Sequence, residues 1–247
     1  MQLIEEGEPI SAGDLISGLE FDPGSQKLVT GWPGFDYVFN GGLPLSGAIM
    51  LCASGGTGKS TLLWSLFCTL AKKHARTLYI SAEQTLKEIG RQFAYLGPAP
   101  SKNMIVHAET DKDSILGVIE RLRPQIVAID SIHTVEGISD ADGFNLATGQ
   151  PSAIAQLGRD IKRLVGDLEC LVFAIGHVNN DGTVAGGANI RHMLDATLVL
   201  RRGSNDKDPT RILQFEGKSR FGPIGRQARF EMRNSGMVDC GPIKEEP

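Results

Sequence analysis

The residues with the plainest chemistry are Ser54, Gly55, Gly56, Thr57, Gly58, Lys59, Ser60 and Thr61, preceded by Ala53 where many loops of this kind carry glycine. A glycine-rich turn ending in Lys-Ser-Thr can wrap a polyphosphate, because its backbone N–H groups converge on the anion and a following helix adds its dipole. Gly55, Gly56 and Gly58 let the main chain approach phosphate oxygens without Cβ clashes. Lys59 would sit on the β- and γ-phosphates of ATP, and the Ser60 hydroxyl would help hold Mg²⁺. The plainer reading is an ordinary turn, and the flanks weigh against it. The apolar run from Gly47 to Cys52 reads as a buried strand, and Leu62 to Phe67 carry helical apolar spacing.

Hydrolysis also needs carboxylates, and two occupy the right kind of position. Thr77 to Ser81 reads as a buried strand delivering Glu83 to the same sheet edge as the phosphate loop, where a carboxylate can orient and deprotonate an attacking water. Its plainer reading is a surface glutamate near a helix start. The apolar run Gln125–Ile129 ends in Asp130, the form of a Walker B strand that reaches the Mg²⁺ shell. Glu136 lies further past its strand and is the second choice of base. His177, at the end of the apolar strand Leu171–Ile175, can contact a γ-phosphate or simply be satisfied within the fold. Lys218 and Arg220 place two cations on one turn, either facing solvent or reaching a γ-phosphate held by an adjacent subunit.

The elements that must hold these groups follow from patterning. Thr85 and Glu88 form a capping-box pair ahead of a stripe of Leu86, Ile89, Phe93 and Leu96, closed by Gly97. Met104–His107 is a short strand, and Ile115, Ile119 and Leu122 mark a helix stopped by Pro124. Pro151 opens a helix with Ile154, Leu157, Ile161 and Leu164 on one face and Arg159, Lys162 and Arg163 on a solvated one. Met193–Leu200 returns to strand, and the stretches 211–218 and 227–232 alternate like antiparallel strands at a sheet edge. Two long polar, glycine-rich loops, 137–151 and 180–191, follow the Walker B and His177 strands. The predicted fold is α/β, with a mainly parallel central sheet flanked by helices and antiparallel strands toward the C-terminus.

Composition bounds the rest. With 247 residues and 41% hydrophobic content the chain can bury one good core as a single domain. A net charge of −4 argues against nucleic-acid binding by overall charge, so any such surface must be local. Cys52, Cys68, Cys170 and Cys240 lack a C-x-x-C pair and read as buried thiols of a reducing compartment. The N-terminus lacks the parts of a signal peptide and no run approaches membrane-spanning length, so a cytoplasmic protein is expected, with no membrane partner. Residues 1–26 carry Glu5, Glu6, Glu8, Asp14, Glu20 and Asp22 without Lys or Arg, an acidic arm ahead of a core at 27–238 and a tail at 239–247. The arm is either a disordered terminus or a segment that docks on a neighbouring subunit through Leu15, Ile16, Leu19 and Phe21.

Read together, Gly-Thr-Gly-Lys-Ser at 56–60, Leu-Tyr-Ile-Ser-Ala-Glu at 78–83, Ile-Asp-Ser-Ile-His-Thr at 129–134, Gly-His-Val at 176–178, Ala-Gly at 185–186, His-Met-Leu-Asp at 192–195 and Lys-Ser-Arg-Phe-Gly at 218–222 resemble the ATPase core of the bacterial RadA/Sms family, a branch of the RecA-like P-loop ATPases. The likeness runs from about Val29 to Gly236. It implies ATP and Mg²⁺ as cofactors and Glu83 as water-activating base. It also implies Asp130 as the Walker B aspartate and Lys218 with Arg220 acting on the neighbouring site. The loops after Val135 and His177 would face DNA. It further implies a hexameric ring or filament that is DNA-dependent, acts on single-stranded DNA in recombination, branch migration or repair, and meets a replication or recombination protein. Three departures stand out. The family's zinc and Lon-like modules have no counterpart here, Asn179-Asn180 replaces Thr-Lys, and Ser219 replaces Asn. Losing a lysine weakens the electrostatic part of DNA contact. The alternative expectation is a nucleotide-gated ring or filament assembly protein acting on a protein partner.

Overall fold

A computed structural model of the chain describes residues 27–73, 75–177, 193–205 and 208–244. The acidic arm, the whole loop 178–192 with its Asn179-Asn180 pair, Ala185-Gly186 and His192, and residues 245–247 of the tail lie outside these residues. Among the described residues eleven strands and five helices follow in order. They are β1 Lys27–Leu28, α1 Pro33–Val38, β2 Leu43–Pro44, β3 Gly47–Ala53, α2 Lys59–Lys72, β4 Thr77–Ser81, α3 Leu86–Leu96, β5 Met104–Ala108, α4 Lys112–Leu122, β6 Ile126–Asp130, α5 Pro151–Leu168, β7 Leu171–His177, β8 Ala196–Arg202, β9 Thr210–Ser219, β10 Gln227–Arg233 and β11 Gly236–Ile243.

Strands β3 to β11 form one nine-stranded sheet in the order β11-β10-β9-β8-β3-β7-β6-β4-β5, while β1 and β2 pair separately. From β8 to β5 the neighbours are parallel, and from β8 to β11 they are antiparallel. This is the α/β arrangement expected from patterning. β3, β6 and β7 are apolar along their length because helices cover both faces. One face packs Leu62, Leu66, Phe67 and Leu70 of α2 and Ile89 and Phe93 of α3 against Ile49, Leu51, Tyr79 and Phe173. The other packs Ile115 and Ile119 of α4 and Ile154, Leu157 and Ile161 of α5 against Met50, Ile80, Val127 and Val172.

Local signals explain most element ends. The capping box of α3 forms, with Glu88 N donating to Thr85 Oγ1 at 3.3 Å and Thr85 N to Glu88 Oε2 at 2.9 Å. The short α1 stacks Phe35 on Phe39 at 4.9 Å. Its first amides donate to Asp239 of β11, Gly34 N at 2.8 Å and Phe35 N at 3.0 Å, so a distant strand supplies the acceptor that the local sequence lacks.

Several expectations change. Leu86 stands at the first position of α3, beyond the cover of the sheet, and is 56% exposed. Cys52, Cys68 and Cys170 are buried but Cys240 is exposed. β8 begins at Ala196, since Leu194 and Asp195 turn the chain into the sheet. β11 crosses the boundary set at 238/239 and continues to Ile243. Lys162 is not simply part of a solvated face. Its ammonium donates to both carboxylate oxygens of the buried Asp195 at 2.7 and 2.8 Å.

Candidate active site

The parallel register decides where the chemistry gathers. Ala53 of β3 lies opposite His177 of β7, and Ser81 of β4 opposite Asp130 of β6. Since β3, β7, β6 and β4 are consecutive neighbours, their carboxyl ends bring Lys59, His177, Asp130 and Glu83 to one edge. That edge is where open α/β sheets bind ligands.

The phosphate loop joins β3 to α2. Gly56 has φ +66° and Gly58, at the N-cap of α2, has φ +103°. At φ +103° Gly58 holds a left-handed conformation that favours glycine, and a Cβ there would also have to displace the Met232 methyl, 2.2 Å away. Ser54 and Thr57 hydroxyls are 2.8 Å apart, bracing the loop, while Ser54, Gly55 and Gly56 are exposed and Thr57 and Thr61 buried. The first turn of α2, Lys59 to Thr61, presents N–H groups that a helix cannot satisfy internally. Lys59 is 6% exposed. It donates to Ala53 O at 3.1 Å and lies 3.4 Å from His177 Nδ1. Burial lowers the pKa of its ammonium, opposed by the Asp130 charge.

Asp130 is buried, and its Oδ2 accepts from Ser60 Oγ and from Tyr79 Oη, each at 2.5 Å. Burial raises its carboxyl pKa and the two hydroxyls oppose that rise. A nearly desolvated carboxylate touching the hydroxyl at the loop's end is a hard oxygen donor set of the kind that holds Mg²⁺ beside phosphate. Tyr79 is 1% exposed, and its hydroxyl donates to Asp130 from within the core. We expect Tyr79→Phe to lower stability by about 1.5–3 kcal/mol in urea unfolding, since it deletes a buried hydrogen bond to a charged group.

Glu83 extends past β4. Its Oε1 accepts from Ser131 Oγ at 2.6 Å and lies 3.6 Å from His177 Nε2. The His177 imidazole beside it, helped by the Ser131 hydrogen bond and the Lys59 charge, overcomes partial burial and holds the carboxyl at about 2. Glu83 is therefore charged at neutral pH, with His177 bridging it to Lys59. Glu136, the alternative base, is exposed and pairs through its backbone with Thr110 and Lys112, outside this cluster.

Lys218 and Arg220 lie elsewhere. Ser219 pairs with Ala196, and Ala196 with Ile49 near the start of β3, so both cations occupy the edge opposite their own phosphate loop. Lys218 donates to Leu194 O at 2.7 Å. Arg220 Nη1 donates to Asp195 Oδ1 at 3.0 Å, with the Arg220 side chain 64% exposed. They cannot complete the site of their own chain.

Two arginines that patterning missed do touch the loop. Arg202, ending β8, donates to Gly55 O at 3.0 Å. Arg211 of β9, 6% exposed, donates through Nε to Thr57 O at 2.7 Å and through Nη1 to Asp208 O and Thr210 O. They hold outward-facing carbonyls, which leaves the loop's amides to the phosphate side. Their only sequence signal was alternation on strands that β8 places beside β3.

The sequence profile of the family described as "ATPase: KaiC" matches residues 28–238. The chain belongs to the KaiC ATPase family. Within that family's reach it is similar to proteins named DNA repair protein RadA. It is 30% identical to that of Listeria monocytogenes over 220 residues (89% of this chain, 46% of the relative) and 29% to that of Haemophilus influenzae over 211 residues (85% and 44%). The chain spans about half the length of the curated relatives it matches. A KaiC-like protein from Pyrococcus horikoshii superposes with TM-score 0.69 at 17% identity, covering 87% of this chain and 98% of that one, and shares the fold. The expected kinship with RadA cores and the RecA-like fold both hold. Among the described residues no helix is long and apolar enough to cross a membrane.

Proposed function

We propose that this KaiC-family chain is an oligomeric, Mg²⁺-dependent ATPase that acts on single-stranded DNA in the cytoplasm, in recombination, branch migration or repair. The observation that carries the hydrolytic part is the meeting of Lys59, Ser60, His177, Asp130 and Glu83 at the ends of four adjoining strands. Ser54 to Thr61 hold the phosphates, and Lys59 leaves its carbonyl partners for the β- and γ-phosphate oxygens. Glu83 orients the water and takes up its proton as the water oxygen bonds to the γ-phosphorus and the bond to the bridging oxygen breaks. His177, touching both Lys59 and Glu83, reports the γ-phosphate to the loop that follows it. Ser60 and Asp130 would hold Mg²⁺, which when bound neutralises phosphate charge.

Lys218 and Arg220 face away from their own loop, which supports a role at the site of a neighbouring subunit in a hexameric ring or filament. Phe144, 71% exposed on the loop after Val135, is an aromatic face on which a base can stack. The relatives named for DNA repair support the choice of DNA and of a replication or recombination partner. A second reading, a nucleotide-gated assembly protein acting on a protein partner, draws on Asp140 and Asp142 beside Phe144, which repel phosphate.

ATP turnover with and without single-stranded DNA at low salt tests the proposal. Stimulation is expected, and unchanged turnover together with a stable nucleotide-dependent assembly would favour the second reading. Lys59→Ala should abolish nucleotide binding. Arg220→Ala should leave binding intact and reduce turnover by about 10³-fold or more. Equal loss of binding in both variants would sink the trans assignment.

A further inference from the structure

On the edge opposite the phosphate loop lies a cleft of about 330 Å³ whose lining includes Lys27, Asn40, Pro44, Arg220, Phe221 and Pro223. The Phe221 ring packs over Gly47, where an added Cβ would come within 2.4 Å of it, so the cleft wall is fixed against the start of β3. The apolar surface continues outward, since Leu45 beside Pro44 is 50% exposed, Ile224 beside Pro223 57% and Val29 59%. The rim is cationic. Lys27 donates to Phe39 O and Asn40 O, which take two of its three protons. Arg226 donates to Tyr37 O and to Asn40 Oδ1, and Arg220 is largely exposed beyond its bond to Asp195. Burial and the Arg226 charge both lower the pKa of Lys27, as expected where positive charge is in excess.

Such a cleft suits an acidic peptide with apolar side chains, and the chain itself carries one at the right place. The segment Asp14-Leu15-Ile16-Ser17-Gly18-Leu19-Glu20-Phe21-Asp22 interleaves carboxylates with large apolar residues, and residues 1–26 hold no Lys or Arg. It joins the fold at Lys27, a lining residue of the cleft. The step from Asp22 to Lys27 spans at most about 17 Å when extended, and so short a tether gives an effective concentration of order millimolar. We propose that residues 14–22 dock into the cleft of their own chain, setting Phe21 and Leu19 on the Pro44, Phe221 and Pro223 surface and the carboxylates on Lys27, Arg226 and Arg220. The docked segment covers Arg220.

The test uses the full chain. A fluorescent peptide of residues 12–24 is titrated by anisotropy against the unaltered protein and against the triple variant Asp14→Lys, Glu20→Lys, Asp22→Lys, whose own arm is repelled. The triple variant should bind the peptide about tenfold or more tightly than the unaltered chain, because there the arm competes. Adding Lys27→Glu and Ile224→Asp should remove that binding. Equal affinities for the two proteins, or binding indifferent to the cleft substitutions, would overturn the proposal. So would a fall in light-scattering mass on altering the arm, which would make the docking intermolecular. Binding is read without ATP and stands apart from the catalytic reading.

Discussion

Glu83→Gln is expected to lower ATP turnover by about 10²–10⁴-fold while leaving ATP affinity within a few-fold of the unaltered chain. The amide keeps the shape of the side chain and can still accept from Ser131 Oγ, now 2.6 Å away, but it cannot carry the negative charge that the proposed mechanism uses to align a water against the γ-phosphate. Single-turnover hydrolysis beside equilibrium nucleotide binding separates the two effects, and a parallel loss of both would mean that Glu83 merely shapes the loop. The low pKa of about 2 also has a sign. A carboxyl depressed in the fold stabilises it above its unfolded value near 4.5 and loses that contribution as pH falls through about 2. An acid limb of turnover at higher pH therefore belongs to another group. Because Glu83 is 39% exposed, its deletion should barely alter urea stability.

The second large effect is structural. Asp195, with its side chain 5% exposed, accepts from Ala48 N at 2.9 Å, from Lys162 Nζ and from Arg220 Nη1, joining β3, α5 and the turn after β9. Asp195→Ala leaves a buried amide and an ammonium without an acceptor. The expected loss in urea unfolding is about 2–4 kcal/mol, below the 3–5 of a wholly buried pair because Lys162 is 33% exposed and can rehydrate. Adding Lys162→Met should recover part of it by removing the orphaned charge. A loss under about 0.5 kcal/mol in the single variant would show that solvent already screens this cluster.

Strand ends carried most of what the sequence made legible. Lys59, Glu83, Asp130 and His177 each follow an apolar run, and a parallel sheet delivers such ends to one edge whatever the strand order. What stayed hidden depends on that order. Arg202 and Arg211 reach the loop only because β8 is hydrogen-bonded to β3. Tyr79 reads as a core residue, and nothing in its alternation reveals that its hydroxyl meets Asp130 across the β4–β6 pair. Lys162 sits among Arg159 and Arg163 on a helix face that looks uniformly solvated. Its partner Asp195 is distant in sequence, and local periodicity carries no information about such a partner. Asp239 is similar, since its acceptor role for α1 follows from β11 packing beside that helix.

The clasp of Arg211 on Thr57 and the bond of Asp239 to Gly34 bear on how the chain comes off the ribosome. Elongation delivers the phosphate loop before its braces, and the strands that hold it from the side follow more than a hundred residues later. Closing contacts of such long sequence separation is slow and comes late. A nascent chain that has exposed β3 and α2 but not β9 therefore has the motif without its support. Nucleotide affinity should therefore be acquired abruptly, once β9 to β11 have emerged and docked, and bound nucleotide then stabilises chains whose bracing strands are in place and gives nothing to those arrested before them.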